Sequence, residues 1–452
     1  MTRGSWSSKI GFVFAAAGSA VGLANIWRFP YVVGSNGGAI FVLTYLICLF
    51  AIGFPVFLAE VLIGRTTQRN PSEAFEILGK SRFWGFLGSV TIVTGFIVSA
   101  FYSAVAGWIL GYLIEAFSGQ LTLFSTSNQA AMHYDALMAS PFWGLGFHLL
   151  FLVICGWVLV SGVKGGIERG NKVIMPILYL VLIALVIKGL TMPYAWQGLT
   201  YLFSPDWSEV TPMMFLIALG QSFFTLSVGQ GTMVTYGSYL RENDNVMTSC
   251  FPVVIMDTLV SLFSAIAIFT IVFSVGMEPD AGPGLLFQTL PLVFSKIPGG
   301  ALLAVAFFLL VFLAALTSQI SAMEPTIAFL IDRFKWPRKW AVVACTGAVF
   351  FVGVPCALSS NILKEVTLFS LTPLELMLFA ASSILIPLGG FCAIILVGWK
   401  WGIPKAVEAL HQGMSKSLRE NRLMNVYFWF FAKYLAPALI AIVFLNALGI
   451  LT

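Results

Sequence analysis

Apolar stretches of about 20 residues recur along the whole chain, and each is long enough to cross a hydrocarbon core about 30 Å thick as a helix. Eleven spans are predicted, at about 11–34, 39–64, 84–117, 142–160, 167–189, 211–238, 248–275, 300–331, 338–355, 373–399 and 425–449. Nothing between them resembles a soluble domain. Of the 452 residues, 59% are hydrophobic and only 10% charged, where soluble domains run near a quarter charged. The sequence therefore predicts an all-α integral membrane protein in one domain, 1–452. The first apolar run does not read as a cleaved signal peptide: it is long, carries Asn25 and Arg28, and lacks a small-residue cleavage pattern.

Charge placement sets an expected orientation. With the N-terminus inside, 19 of the 24 Lys and Arg residues fall on the inner face and three (Lys188, Lys296, Lys364) on the outer, while Arg28 and Lys433 lie within or at the ends of helices. The positive-inside rule then predicts a cytoplasmic N-terminus. The basic residues need no nucleic-acid partner, and no protein partner is evident. Six scattered cysteines (48, 155, 250, 345, 356, 392) without paired spacing read as packing residues. The stretch Pro279 to Gly300 is long enough for a short helical hairpin over the outer face, and 401–424 suits an amphipathic helix on the inner face.

Two spans are interrupted. In the first, Gly18-Ser19-Ala20-Val21-Gly22-Leu23-Ala24-Asn25 breaks the apolar run; in the sixth, Thr225-Leu226-Ser227-Val228-Gly229-Gln230-Gly231 does the same. They stand five spans apart, and an odd shift reverses direction through the membrane. Two five-helix halves in inverted topology follow, 11–189 and 211–399, with 425–449 as an additional helix 11. Small residues also serve helix packing, but packing does not explain the added Asn25, Gln221, Thr225, Ser227 and Gln230. Interrupted helices at corresponding places in two halves point to a transporter's midplane site. Unwinding frees carbonyls for a cation and N–H groups for a carboxylate, so sodium with a zwitterionic amino acid would satisfy both. Sodium, a hard cation, calls for oxygen ligands. Few ionisable residues lie within spans: Arg28, Glu60, Glu115, Asp257, Glu324 and Glu375. Asp257, in mid-span 7, is a functional candidate on cost alone.

At these positions the sequence resembles the neurotransmitter:sodium symporters, bacterial branch. The resemblance rests on Asn25-Ile26-Trp27-Arg28-Phe29-Pro30-Tyr31 with Asn36-Gly37-Gly38, on Gly220-Gln221-Ser222-Phe223-Phe224-Thr225-Leu226-Ser227, and on Gly282-Pro283-Gly284-Leu285 with Phe287. It implies a leucine-transporter-type fold in the cell (plasma) membrane. It implies two Na+ ions, the first held by the Ala20 carbonyl, Asn25, Thr225, Asp257 and the substrate carboxylate. The second would take the carbonyls of Gly18, Val21 and Ala314 with the hydroxyls of Thr317 and Ser318. The substrate carboxylate would meet the Leu23 and Ala24 amides and Tyr102; its ammonium would meet the carbonyls of Ala20, Phe224 and Thr225 and the Ser227 hydroxyl. Val98, Tyr102, Phe224, Gln230, Ser318 and Ala322 would line the side-chain pocket, with Gln230 and Ala322 leaving room for larger hydrophobic L-amino acids. Arg3, Trp6, Tyr239 and Asp332 resemble an inner gate closed by Arg3–Asp332. Arg28 resembles an outer gate whose usual aspartate is missing, Glu375 being the nearest acid in sequence. Gly166 and Pro176 match a Gly-x9-Pro hinge.

Two departures from the family pattern carry meaning. Gly22 stands where amine carriers have aspartate, so a substrate bringing its own carboxylate is expected. Asp257 stands where chloride-dependent members have asparagine; with Tyr45, Gln221, Thr225 and Ser261 around it, a fixed charge would replace the anion. The expected function is thus sodium-coupled, chloride-independent symport of hydrophobic amino acids into the cell. A proton-coupled carrier of the same fold and an ion channel are the rivals. An ATP-driven pump lacks its loop, since Ala74–Ser81 misses the first glycine of a P-loop. No HExxH or GxSxG motif supports an enzyme.

Overall fold

The helix starts follow from local chemistry. Ser8, Asn70, Ser81, Thr126, Ser140, Thr211, Asn245, Thr372 and Asn421 each turn a side-chain oxygen onto a backbone N–H two or three residues ahead. This takes up one of the donors that a helix leaves free at its start. Pro follows the cap at 71, 141, 212 and 373, where its missing N–H costs nothing.

A computed structural model describes residues 4–276 and 284–447. Within them the chain is helical, apart from turns and a single bridge between Leu368 and Leu371. The main helices in order are α1 (Lys9–Ala20), α2 (Ala24–Ser35), α3 (Ala39–Thr67), α4 (Arg82–Ser118), α5 (Pro141–Val160), α6 (Val163–Leu190), α7 (Pro212–Thr225), α8 (Thr232–Gly237), α9 (Val246–Ser274), α10 (Leu285–Lys296), α11 (Gly300–Phe334), α12 (Arg338–Ala357), α13 (Pro373–His411) and α14 (Arg422–Asn446). Nine of these are long and apolar enough to cross a membrane singly; α1 and α2 form one bent span, with 51° between them. The sixth predicted span is two short helices, α7 and α8, separated by 226–231.

Observed ends differ from the expected ones by a few residues, except at α13. There the helix runs through predicted residue 399 to His411, bending at Gly402 (φ +96°), so the amphipathic segment is the end of α13. Its Ile403, Ala406, Ala409 and Leu410 are buried. Between Pro279 and Gly300 the described part is the single helix α10; residues 277–283, including Gly282 and Pro283 of the quoted motif, lie outside the described residues.

Buried Arg65, at the end of α3, fastens the α13 terminus: its guanidinium donates to the carbonyls of Ala409 and Gln412, and to that of Asp244 at 2.8 Å. The six cysteines are buried and unpaired.

Candidate functional site

Two breaks in helix winding meet in the middle of the bundle. After Ala17 accepts the Val21 N–H, the chain extends at Val21 (φ −73°, ψ 105°). The Gly22 N–H finds a side chain instead of a carbonyl, donating to Asn25 Oδ1 at 2.9 Å. The wide π-turn Ala24–Arg28 follows. On the opposing strand of chain, Ser227, Gly229 and Gly231 all have positive φ (53°, 80°, 74°), which no right-handed helix allows. The segment is held by its neighbours. Ser227 Oγ donates to the Ser19 carbonyl at 2.9 Å, and the Gly229 N–H donates to Glu60 Oε1 at 2.6 Å. A Cβ on Gly389 would stand 2.0 Å from the Gly229 carbonyl oxygen, so α13 lies backbone to backbone against it.

Asn25, Thr225 and Asp257, from three separate elements, converge at full burial. Asn25 Nδ2 has four oxygens close by: Asp257 Oδ1 at 2.7 Å, Thr225 Oγ1 and Ser261 Oγ at 2.8 Å, and the Asp257 carbonyl at 3.3 Å. A primary amide has only two hydrogens to give, so part of this oxygen cluster is unserved. Thr225 Oγ1 donates to Asp257 Oδ1 at 2.9 Å, and Asp257 Oδ2 has no partner among the described residues. A second excess of acceptors lies nearby. Ser318 Oγ, with one hydrogen, is 3.1 Å from the carbonyls of Ser19 and Val21 and 3.4 Å from that of Gly18. Thr317 Oγ1 bonds back within α11, to the carbonyls of Leu313 at 3.2 Å and Ala314 at 3.1 Å. Its Cβ would be 3.3 Å from a Cβ on Gly18.

Beside these clusters is a cavity lined by Ala20, Leu23, Ala24, Val98, Tyr102, Phe224, Ser227, Gln230, Ser318 and Ala322, all expected, by Gly22, the position of the amine carriers' aspartate, and by Ser19, Phe223, Val228 and Ile386, which were not expected. Thr225, whose carbonyl was expected at the substrate ammonium, is not among the residues that line the cavity, and its hydroxyl faces Asn25 and Asp257. The cavity volume is only about 30 Å3, well below the range of small-molecule sites, so a substrate enters only if these walls part. The Leu23 N–H donates to the Tyr102 hydroxyl at 3.2 Å.

Arg28 does not meet Glu375. It donates to Gln221 Oε1 at 2.6 Å and lies 5.5 Å from the centre of the Phe224 ring. Glu375 is spent capping α13, accepting from the Thr372 N–H and hydroxyl at 2.9 Å. The other side of Gln221 donates to the Ala24 carbonyl at 2.8 Å.

At the chain's N-terminal end, buried Trp6 donates through Nε1 to the Tyr236 carbonyl at 3.0 Å and through its N–H to the Tyr239 carbonyl at 3.1 Å. Tyr239 OH donates to Glu324 at 2.8 Å, and Arg338 grips both Glu324 oxygens at 2.9 and 2.8 Å. Asp332 Oδ2 accepts from Asn70 at 3.2 Å; Arg3, the expected partner of Asp332, lies outside the described residues. The Gly166–Pro176 segment is wound, with Gly166 in a π-turn and Pro176 inside α6. Sequence reasoning noted Glu60 and Glu324 as buried acids without a role, and did not single out Arg338 or Ile386.

Comparison with known proteins gives consistent relatives. The profile of the Sodium:neurotransmitter symporter family matches residues 3–136 and 141–451. The sodium-dependent transporter YhdH of Bacillus subtilis (strain 168) is 37% identical over 448 residues, 99% of this chain and 98% of that protein. A sodium-dependent transporter of Haemophilus influenzae is 35% identical over 99% of this chain and 98% of its own length. The crystal structure of MhsT in complex with L-phenylalanine superposes with a TM-score of 0.90 at 39% identity, covering 99% of this chain and all of that one.

Proposed function

Because this chain belongs to the Sodium:neurotransmitter symporter family, we propose that it imports hydrophobic L-amino acids, aliphatic and aromatic, by coupling their entry to two sodium ions. It is a sodium-dependent secondary transporter of the membrane, not an enzyme, and has the leucine-transporter-type fold. The observation that carries the ion reading is the crowd of four oxygens around one amide nitrogen of Asn25. Turning that amide over would bring Oδ1 into the crowd at the expense of its bond from the Gly22 N–H, an exchange that only a cation at the centre of the crowd would favour. Sodium there takes oxygen from Asn25, Thr225, Asp257 and the Ala20 carbonyl, and the substrate carboxylate completes the set. The second ion takes the place of the overcommitted Ser318 hydrogen, among the carbonyls of Gly18, Val21 and Ala314 with the hydroxyls of Thr317 and Ser318.

The zwitterion lies between the two breaks. Its carboxylate meets the Leu23 and Ala24 amides and Tyr102; its ammonium meets the carbonyls of Ala20, Phe224 and Thr225 and the Ser227 hydroxyl. Arg28 with Phe224 closes the outer side, and Arg3, Trp6, Tyr239 and Asp332 close the cytoplasmic side, where the N-terminus lies. Residues 11–189 and 211–399 act as inverted repeats that rock against each other, with 425–449 outside both. Gly166 and Pro176 let the inner half of α6 unwind to release the second ion. Chloride is not needed: Asp257 supplies the charge, and both ends of the Gln221 amide are engaged by protein groups.

MhsT was crystallised with L-phenylalanine, and the cavity here has an apolar wall of Val98, Phe223, Val228, Ala322 and Ile386. The deciding experiment is uptake into proteoliposomes under imposed sodium or proton gradients, with leucine, phenylalanine and tryptophan as substrates and gluconate replacing chloride. Sodium-driven accumulation that is unchanged in gluconate supports the reading. Accumulation driven by protons alone, or large unitary currents without coupling, overturns it.

A further inference from the structure

Gln230 contributes an amide to the lining of the cavity. Gly229 and Gly231 on either side of it both hold positive φ, so the backbone at 230 is fixed by the same distortion that interrupts the helix. A Cβ on Gly95 would stand 2.8 Å from the Gln230 carbonyl and 3.2 Å from that of Ala322. Gln230 therefore sits against α4 and α11, beside Val98 one turn along α4. Its side chain is 6% exposed, and Oε1 has no partner among the described residues. One other cavity-lining oxygen is in that position, Ser19 Oγ, but the Ser19 carbonyl already serves Ser227 and Ser318, which puts that residue at the ion end. Gln230 shares the cavity lining with the apolar side chains of Val98, Phe223, Val228, Ala322 and Ile386.

A buried amide oxygen without a donor costs free energy. The cavity has room for water, and a water there would satisfy Oε1. A purely hydrocarbon side chain that displaces the water leaves Oε1 bare; a side chain ending in an N–H or O–H replaces the lost bond. Sites built to bond a substrate's polar group discriminate against analogues lacking it more sharply than apolar pockets sort methylenes.

We propose that Gln230 accepts a hydrogen bond from the tip of the substrate's side chain, so that aromatic amino acids carrying a donor, tyrosine and tryptophan, are preferred to phenylalanine. This rests on the reading of the cavity as an amino-acid site and narrows its substrate class. The aromatic body occupies the apolar wall, and the phenol O–H or indole N–H meets Oε1. Gln230 is a specificity residue here, and no covalent chemistry is involved.

The test is sodium-dependent binding to the purified transporter, read as competition against labelled leucine by tyrosine, phenylalanine, tryptophan and 1-methyltryptophan. In the native protein tyrosine should compete about tenfold better than phenylalanine, the worth of one net hydrogen bond, and 1-methyltryptophan should fall behind tryptophan. In Gln230→Met, a change of similar volume without the amide, the tyrosine-to-phenylalanine ratio should collapse toward one. Phenylalanine matching tyrosine in the native protein overturns the proposal, and so does a ratio left unchanged in Gln230→Met. The native comparison stands even if the variant does not fold. Absence of any sodium-dependent leucine binding in the native protein is a different failure: it overturns the amino-acid reading of the cavity itself.

Discussion

Exchanging Asp257 for Asn removes one negative charge and almost no volume. The new Oδ1 can still accept from Asn25 and Thr225, whose donor atoms lie 2.7 and 2.9 Å from the present oxygen, so the helices should keep their packing and the change isolates charge. A sodium ion among the oxygens that now face Asn25 Nδ2 would feel that charge closely. Two unit charges about 4 Å apart attract by about 4 kcal/mol at an effective dielectric of about 20. Part of this offsets the desolvation of a carboxylate that is fully buried. The net loss is expected near the worth of a hydrogen bond to a charged group, about 1.5–3 kcal/mol. In chloride-free medium the sodium concentration for half-maximal leucine uptake should therefore rise roughly 10- to 150-fold. Adding chloride should recover part of the loss, because an anion can then restore the missing charge. A sodium activation curve for Asp257→Asn that overlays the native one in gluconate would refute the reasoning.

Three other substitutions probe separate parts of the molecule. Ser318→Ala removes the hydroxyl that faces three carbonyls and should raise the sodium requirement for equilibrium leucine binding several-fold; an unchanged requirement would show that no ion uses this oxygen. Arg338→Ala strips the two-pronged partner from buried Glu324, and breaking such a pair costs about 3–5 kcal/mol, so the melting temperature in detergent should fall clearly; coincident melting curves would contradict it. Gly389→Ala places a carbon 2.0 Å from the Gly229 carbonyl oxygen, which forces α13 away from the unwound segment. Transport should be lost while the protein still reaches the membrane, and native-like uptake would show the contact to be dispensable.

The helices were legible because their signal is local: an apolar run long enough to cross a bilayer. The two breaks were legible for the same reason, since Gly22, Gly229 and Gly231 announce themselves beside polar neighbours. What pairs with what across the bundle was not. Arg28 and Gln221 are nearly two hundred residues apart, and no periodicity links them, so the search for an acid partner led to Glu375, whose real task is to cap its own helix. Ile386 looked like any span residue; only the glycine-on-glycine approach of Gly389 and Gly229 brings it to the cavity. Glu60 was one of several ionisable residues within spans, and its acceptor role toward the Gly229 N–H needs the left-handed turn to exist first.

Arg65 ties α3 and α13 together through main-chain carbonyls. A guanidinium stays protonated, and amide oxygens neither gain nor lose protons at any acidity a cell meets. Acidification has nothing to titrate at this junction. The end of α13 should therefore stay fastened to α3 across wide swings of pH, a passive clamp.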